Sequence, residues 1–174
     1  MLPISRQLCP CAYGHIQDDN MILTQKQKIL SWFDSYDIYD ENDNIVYKVK
    51  GKLSWGHKLE IYDKNGNYLG KVVEKVITLL AKYEFFVGER SVGFLKKKLT
   101  ILRPKFELEC NNWKIDGNVW EWNYTVRSGG NIIMRCDKKI ISLRDTYRMD
   151  ITDEKDALLC LMIALSIDIG KENK

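Results

Sequence analysis

Asp153-Glu154-Lys155-Asp156-Ala157-Leu158-Leu159-Cys160-Leu161-Met162-Ile163-Ala164-Leu165-Ser166-Ile167-Asp168-Ile169-Gly170 is the stretch that decides the fold. Residues 157–165 are nine in a row that are apolar or Cys. A surface helix carries one apolar stripe and one polar face, whereas this one is apolar on every side. It falls short of the about 20 apolar residues that a bilayer span takes, and the flank before it is acidic rather than Lys/Arg-rich. The run therefore predicts a helix over about 153–169, buried in the protein. Thr152 or Asp153 supplies a cap, and Asp153, Glu154 and Asp156 put negative charge at the positive end of the helix dipole. Gly170 reads as the stop, and Ser166 is expected to return its hydroxyl to the carbonyl one turn back.

A helix of this kind needs a wrapping, and the preceding residues 25–151 supply strands in a repeat. The unit is a Lys, a few apolar residues with a Ser or Thr among them, a polar break, then an aromatic or Leu with another apolar residue two further on. Lys28-Ile29-Leu30-Ser31 leads to Tyr36 and Ile38, and Lys52-Leu53-Ser54 to Leu59 and Ile61. Lys75-Val76-Ile77-Thr78 leads to Tyr83 and Phe85, Lys98-Leu99-Thr100-Ile101 to Phe106 and Leu108, and Lys139-Ile140-Ile141-Ser142 to Tyr147 and Met149. The anchors Tyr36, Leu59, Tyr83 and Phe106 stand 23, 24 and 23 residues apart, the length of two strands and two turns. The next gap, 41 residues to Tyr147, has room for a further hairpin. Turn signals at 116–118 and 128–131 flank its strand-like run 119–127. Other turns are expected at 40–44, 63–67, 87–89 and 111–112.

About a dozen antiparallel strands with one apolar face and one helix apolar all round satisfy each other if the sheet closes around the helix. An open sheet would leave one side of the helix in water, costing several kcal/mol at roughly 25 cal/mol per Å², and would leave edges bare. The expected class is therefore mainly β (α+β): a closed antiparallel barrel of about twelve strands around a central C-terminal helix.

Several residues carry a resemblance. Lys26-Gln27-Lys28-Ile29, Tyr62-Asp63-Lys64-Asn65-Gly66-Asn67, Lys96-Lys97-Lys98-Leu99, Arg144-Asp145-Thr146-Tyr147 and the closing helix together resemble the LURP-one-related family over roughly 21–169. The resemblance implies a tubby-like barrel threaded by a hydrophobic helix. It also implies distant similarity to tubby proteins, which bind phosphatidylinositol bisphosphate, and to phospholipid scramblases. No motif carries either activity over. The expected organisation is a leader over 1–20, poorly ordered or preceding the natural start, and one barrel domain over 21–170.

Charge supplies the candidate site. Lys96, Lys97, Lys98, Arg103 and Lys105 place five cations in ten residues without an acid among them. Near an anionic membrane each is worth about 1 kcal/mol. The apolar phase of the strand is expected to switch beside the lysines, which implies a bulge or rim there; the plainer alternative is a solvated edge. Trp120, Trp122 and Tyr124 are read on one face of a strand, as a partner patch or as core. In the leader, Cys9 and Cys11 are candidate lipidation sites, echoing faintly the Cys/Pro-rich segment of scramblases. With His15 they would still lack the fourth ligand of a closed zinc site, so no metal and no cofactor are expected.

The net charge of +3 is too mild for a nucleic-acid binder. The five Cys lack disulfide spacing, and the first 20 residues do not read as a signal peptide. The expected setting is cytoplasmic, peripheral to the inner face of a membrane. The expected function is a non-enzymatic binding module contacting anionic phospholipid. A soluble protein–protein scaffold is the second reading, and an enzyme with an unrecognised site the third, since no phosphate loop, nucleophile elbow or His/carboxylate pair is present. Partner identity and oligomeric state are not encoded in any motif.

Overall fold

The computed structural model describes residues 20–26, 35–52, 58–75, 80–98, 100, 105–141 and 144–172, of which residues 139–141, 144, 145 and 172 are described in backbone only. Twelve strands come first: β1 Met21–Gln25, β2 Ser35–Tyr39, β3 Ile45–Lys52, β4 Lys58–Asp63, β5 Tyr68–Lys75 and β6 Lys82–Val87, then β7 Arg90–Lys98, β8 Lys105–Glu109, β9 Trp113–Asn118, β10 Asn123–Ser128, β11 Asn131–Ile141 and β12 Arg144–Ile151. One helix follows, α1 Ala157–Glu172.

All pairings are antiparallel, in the order β8-β7-β6-β5-β4-β3-β2-β1-β12-β11-β10-β9. Closure comes from β1 against β12, in register from Met21↔Ile151 to Gln25↔Tyr147. The ring stays open at one seam. β8 and β9 are consecutive in the chain, yet β8 pairs with β7 and β9 with β10, and no ladder joins them to each other. The turn between them, Cys110-Asn111-Asn112, is held by Trp113 N donating to Cys110 O at 2.8 Å. Asn111 and Asn112 have φ of 49° and 54°, left-handed values that Asn tolerates.

The repeat has a simple physical meaning. Tyr36, Leu59, Tyr83 and Phe106 are each the second residue of an even-numbered strand, and Tyr147 lies in β12. Each unit is one hairpin, measured from one inward anchor to the next. Alternation then sorts the faces: in β4, Leu59 and Ile61 are fully buried while Lys58 and Glu60 pair on the outside at 2.8 Å. The apolar first halves of the units at 29–31, 53–54 and 76–78, and most of 99–101, lie outside the described residues.

The turns at 40–44 and 63–67 are copies of one device. Asp40 Oδ1 accepts from the backbone N–H groups of Asn42 and Asn44, both at 2.8 Å, and its Oδ2 accepts from Asn44 Nδ2 at 2.9 Å. Asp63 does the same with Asn65 and Asn67, at 2.8, 2.8 and 2.7 Å. Such Asx bonding replaces a backbone turn bond with a side-chain acceptor. The hairpin in the long gap departs from the sequence expectation. Residues 116–118 continue β9, Val119–Glu121 form a 3₁₀ turn capped by Asn118, and the strand begins only at Asn123. Trp122, at φ 55°, makes the corner.

The helix is the plug of the barrel. Leu159 to Gly170 are all buried, and Ile163, Leu165 and Ile167 have no exposure. Each buried Leu, Ile or Met is worth about 1.5–3 kcal/mol over leaving it in water. Asp153 caps the preceding 3₁₀ turn Glu154–Asp156, its Oδ1 accepting from Lys155 N at 3.0 Å. Ser166 Oγ donates to Met162 O at 2.8 Å, as the sequence predicts. Gly170 does not stop the helix, which runs on to Glu172. Its reason is space: a Cβ there would stand 2.7 and 2.9 Å from Phe106 ring carbons and 3.3 Å from Tyr83. Gly70 of β5 likewise lets Met162 approach, since a Cβ there would stand 2.7 Å from its Cε and 2.1 Å from Phe86 O. Among the described residues no helix is long and apolar enough to cross a membrane.

Candidate functional site: a lysine rim beside the open seam

The chain enters α1 from the end of the barrel where β12 finishes, so the helix C-terminus reaches the other end. That exit rim is where β3, β5 and β7 finish and where β4, β6 and β8 begin. Four of the five predicted cations are described there; Arg103 lies outside the described residues.

The strand's phase does not switch at the lysines. The register shift falls earlier in β7, where Phe85 faces Gly93 and Phe86 faces Ser91, leaving Val92 over as a bulge. From Gly93 onward the strand alternates regularly. Leu95 is buried and Lys97 follows it inward, while Phe94, Lys96 and Lys98 share the outer face. Lys96 and Lys98 therefore form an outward pair, and Lys105 at the start of β8 is exposed beside them.

Lys97 has a different task. Its Nζ donates to Gly170 O at 2.9 Å, so a cation closes the negative end of the helix dipole. Burial pushes the Lys97 ammonium below its ordinary pKa, with Glu74 opposing. One residue on, Lys171 Nζ lies 3.8 Å from the Trp122 ring centroid, and Trp122 stacks on Tyr147 at 3.9 Å. Trp122 is 5% and Tyr124 2% exposed. Both belong to the seal around the helix end, so the partner patch read from Trp120, Trp122 and Tyr124 is not an exposed surface. Trp120, half-buried, packs near Phe106 with ring centroids 6.3 Å apart. The left-handed corner at Trp122 breaks the pleat that would have put the three rings on one strand face.

The acids missing from the lysine stretch come from the neighbouring strand. Lys96 pairs with Glu109 at 2.8 Å and Lys98 with Glu107 at 2.5 Å. Glu107 stands directly opposite Lys96 across β7/β8, yet on its other side Lys82 faces Lys96 across β6/β7, and Lys98 faces Lys105 across β7/β8. Like charges directly opposite are destabilising in a ladder. Lys82 and Lys96 both lean over the Phe94 ring, at 3.7 and 4.6 Å from its centroid. Lys82 and Lys105 make no ion pair among the described residues.

The open seam forms a cleft of about 840 Å³ whose walls include Lys98, Lys105, Glu107, Cys110, Lys114 and Asp116. Its sulfur is subdued: Cys110 Sγ donates to Val92 O at 3.2 Å, and burial raises the thiol pKa. Burial also pushes the Cys136 thiol up to about 12 and the Tyr124 phenol well above its ordinary value. Asp168, which the apolar reading of the helix passed over, is fully buried and accepts from Gln25 Nε2 at 3.4 Å. An acid in the last turn of a helix opposes the dipole, and that was the available signal. No group of three or more His, Cys, Asp or Glu able to hold a metal occurs among the described residues. Cys9, Cys11 and His15 lie outside them.

A model of the LURP-one-related family matches residues 21–168. An uncharacterised Bacillus subtilis protein, YxjI, is 36% identical over 148 residues, covering 84% of this chain and 91% of its own. An Arabidopsis thaliana protein of known X-ray structure superposes with a TM-score of 0.57 over 86% of this chain and 91% of its own, at 16% identity, a likeness of fold.

Proposed function

Because the chain belongs to the LURP-one-related family and has its tubby-like barrel, we propose that it is a non-enzymatic binding module that contacts anionic phospholipid through Lys96, Lys98 and Lys105. The observation that carries the reading is the register at the exit rim. Lysine faces lysine at Lys82↔Lys96 and Lys98↔Lys105, an arrangement that costs the fold and that an anionic surface would compensate. Lys97 is left out of the contact, since it caps the helix. The cytoplasmic leaflet carries the required negative surface potential, so the inner face of a membrane is the surface this reading calls for.

The second reading, a soluble protein-binding scaffold, has less behind it. Among the described residues Val87 is the only large apolar side chain exposed, at 41%, and Trp122 and Tyr124 are committed to the core. As for catalysis, the seam's glutamates, Glu107 and Glu109, are held by Lys98 and Lys96 and its thiol is raised, which favours the non-enzymatic reading.

Vesicle sedimentation tests the lipid reading. The protein is expected to pellet with phosphatidylcholine vesicles containing about a third phosphatidylserine, to stay in solution with pure phosphatidylcholine, and to be released by raised salt. Lys96→Glu with Lys98→Glu is expected to abolish pelleting. Equal pelleting by both vesicle types, or an unaffected double variant, would overturn the reading.

A further inference from the structure

The geometry points to an end-on pose: the whole exit rim from β3 to β8, rather than a local patch at the seam, is the membrane-contacting surface, with the helix axis along the bilayer normal. This rests on the lipid reading above and extends it to residues four strands away.

The ladders carry the inference. Lys52 faces Lys58 across β3/β4, and Lys75 faces Lys82 across β5/β6. With Lys82↔Lys96 and Lys98↔Lys105, four ladders place lysine opposite lysine at the same end of the barrel. All these side chains stand on the outer face, in the opposite phase to the buried Val49, Leu59, Val72, Tyr83 and Leu95. Elsewhere such pairs are fewer: across β11/β12, Arg135 faces Asp150 and Asp137 faces Arg148, and a single cation pair, Arg127↔Lys114, stands across β9/β10 among the described residues. Charge matching is thus available to this fold, and along this arc it occurs at Lys96↔Glu107, while the four positions nearest the rim set lysine against lysine.

Glutamates sit one step back from that arc. Lys58 pairs with Glu60 at 2.8 Å and Lys75 with Glu84 at 3.0 Å. They tether the inner ammonium groups to the wall, while Lys52 and Lys105 stay exposed and make no ion pair among the described residues. An arc of ammonium groups along a rim is complementary to an extended sheet of anionic headgroups, which a flat bilayer supplies. The connections across the rim are apolar by sequence, with Leu53, Trp55, Ile77, Leu79 and Ile101. They lie outside the described residues, and the contact is assigned to the lysines alone.

Three variants of the full chain on the same phosphatidylserine-containing vesicles separate the poses. Lys52→Gln with Lys58→Gln tests the far end of the arc, Lys96→Gln with Lys98→Gln the near end, and Lys64→Gln the opposite rim. At roughly fivefold per lysine lost near the surface, both doubles are expected to weaken partitioning some tenfold or more, and Lys64→Gln to leave it unchanged. Loss at the near end with wild-type partitioning of the far double would overturn the end-on pose and leave a side-on lipid site standing. No partitioning of the wild-type protein would overturn the lipid reading, and the pose with it.

Discussion

At the end where α1 enters the barrel the chain turns on carboxylates that are fully engaged; at the end where α1 leaves, lysine faces lysine. The entry rim carries the twin turns of Asp40 and Asp63, each acid holding two backbone N–H groups and an Asn amide, together with Asp153 at the helix cap. The exit rim carries four like-charged ladder pairs and a helix end closed by Lys97. Both polarities agree with the helix dipole, negative charge at its start and positive at its finish. They differ in what they leave over. The two Asp turns of the entry rim spend their charge on groups of the fold itself, whereas the exit rim sets lysine against lysine in four ladder pairs. One end is built for the fold and the other at its expense.

The comparison breaks completely if the plug that joins the two rims is spoiled. Leu161→Asp, a charge in a fully buried position, is expected to abolish cooperative unfolding in a thermal melt by circular dichroism, since an unpaired buried charge costs more than a domain's whole stability margin. A normal melt would show that the helix is not the core. Next in size, Lys97→Met keeps the stem and removes the donor to Gly170 O. The loss expected in urea titration is about 1.5–3 kcal/mol, as for a hydrogen bond with a charged partner. An unchanged midpoint would return Lys97 to the contact set.

Smaller effects sharpen the contrast. Lys52→Glu sets an acid opposite Lys58 and is expected to raise stability by about 0.2–1 kcal/mol. A fall would mean the register repulsion is already relieved in the free protein. At the entry rim, the Asn44 side-chain amide, then its backbone N–H, holds the Asp40 carboxyl below its ordinary value of 3.8, and Asn67 does the same for Asp63. A depressed folded value means that the stabilisation is in full force above the unfolded value and is lost as pH falls through the lower folded one. Carboxyl-carbon NMR titration should find both groups still ionised at a pH where an unfolded Asp is half protonated. Ordinary values would deny the turns their acid bonding.

The plug was legible because a helix apolar on all sides has one place to go, and the barrel because inward anchors recur at the length of a hairpin. The rim was half legible. The lysine stretch stood out, but its acids, Glu107 and Glu109, lie across a ladder whose register no local pattern reports. Lys97 turned out to face inward because the bulge falls at Val92, which resets the phase before the lysines. Gly170 read as a stop since glycine so often is one; that it clears the Phe106 ring depends on a strand more than 60 residues earlier. Trp120, Trp122 and Tyr124 looked like a strand face until a left-handed corner at Trp122 changed the direction of the chain.

The placement of α1 has one more consequence, for synthesis. The sixteen residues that fill the barrel are translated after all twelve strands. Until they emerge from the ribosome, twelve strands have nothing to enclose, and the nascent chain must wait with its apolar faces bare. A premature stop even a few codons into the helix would leave every strand made and nothing for them to enclose.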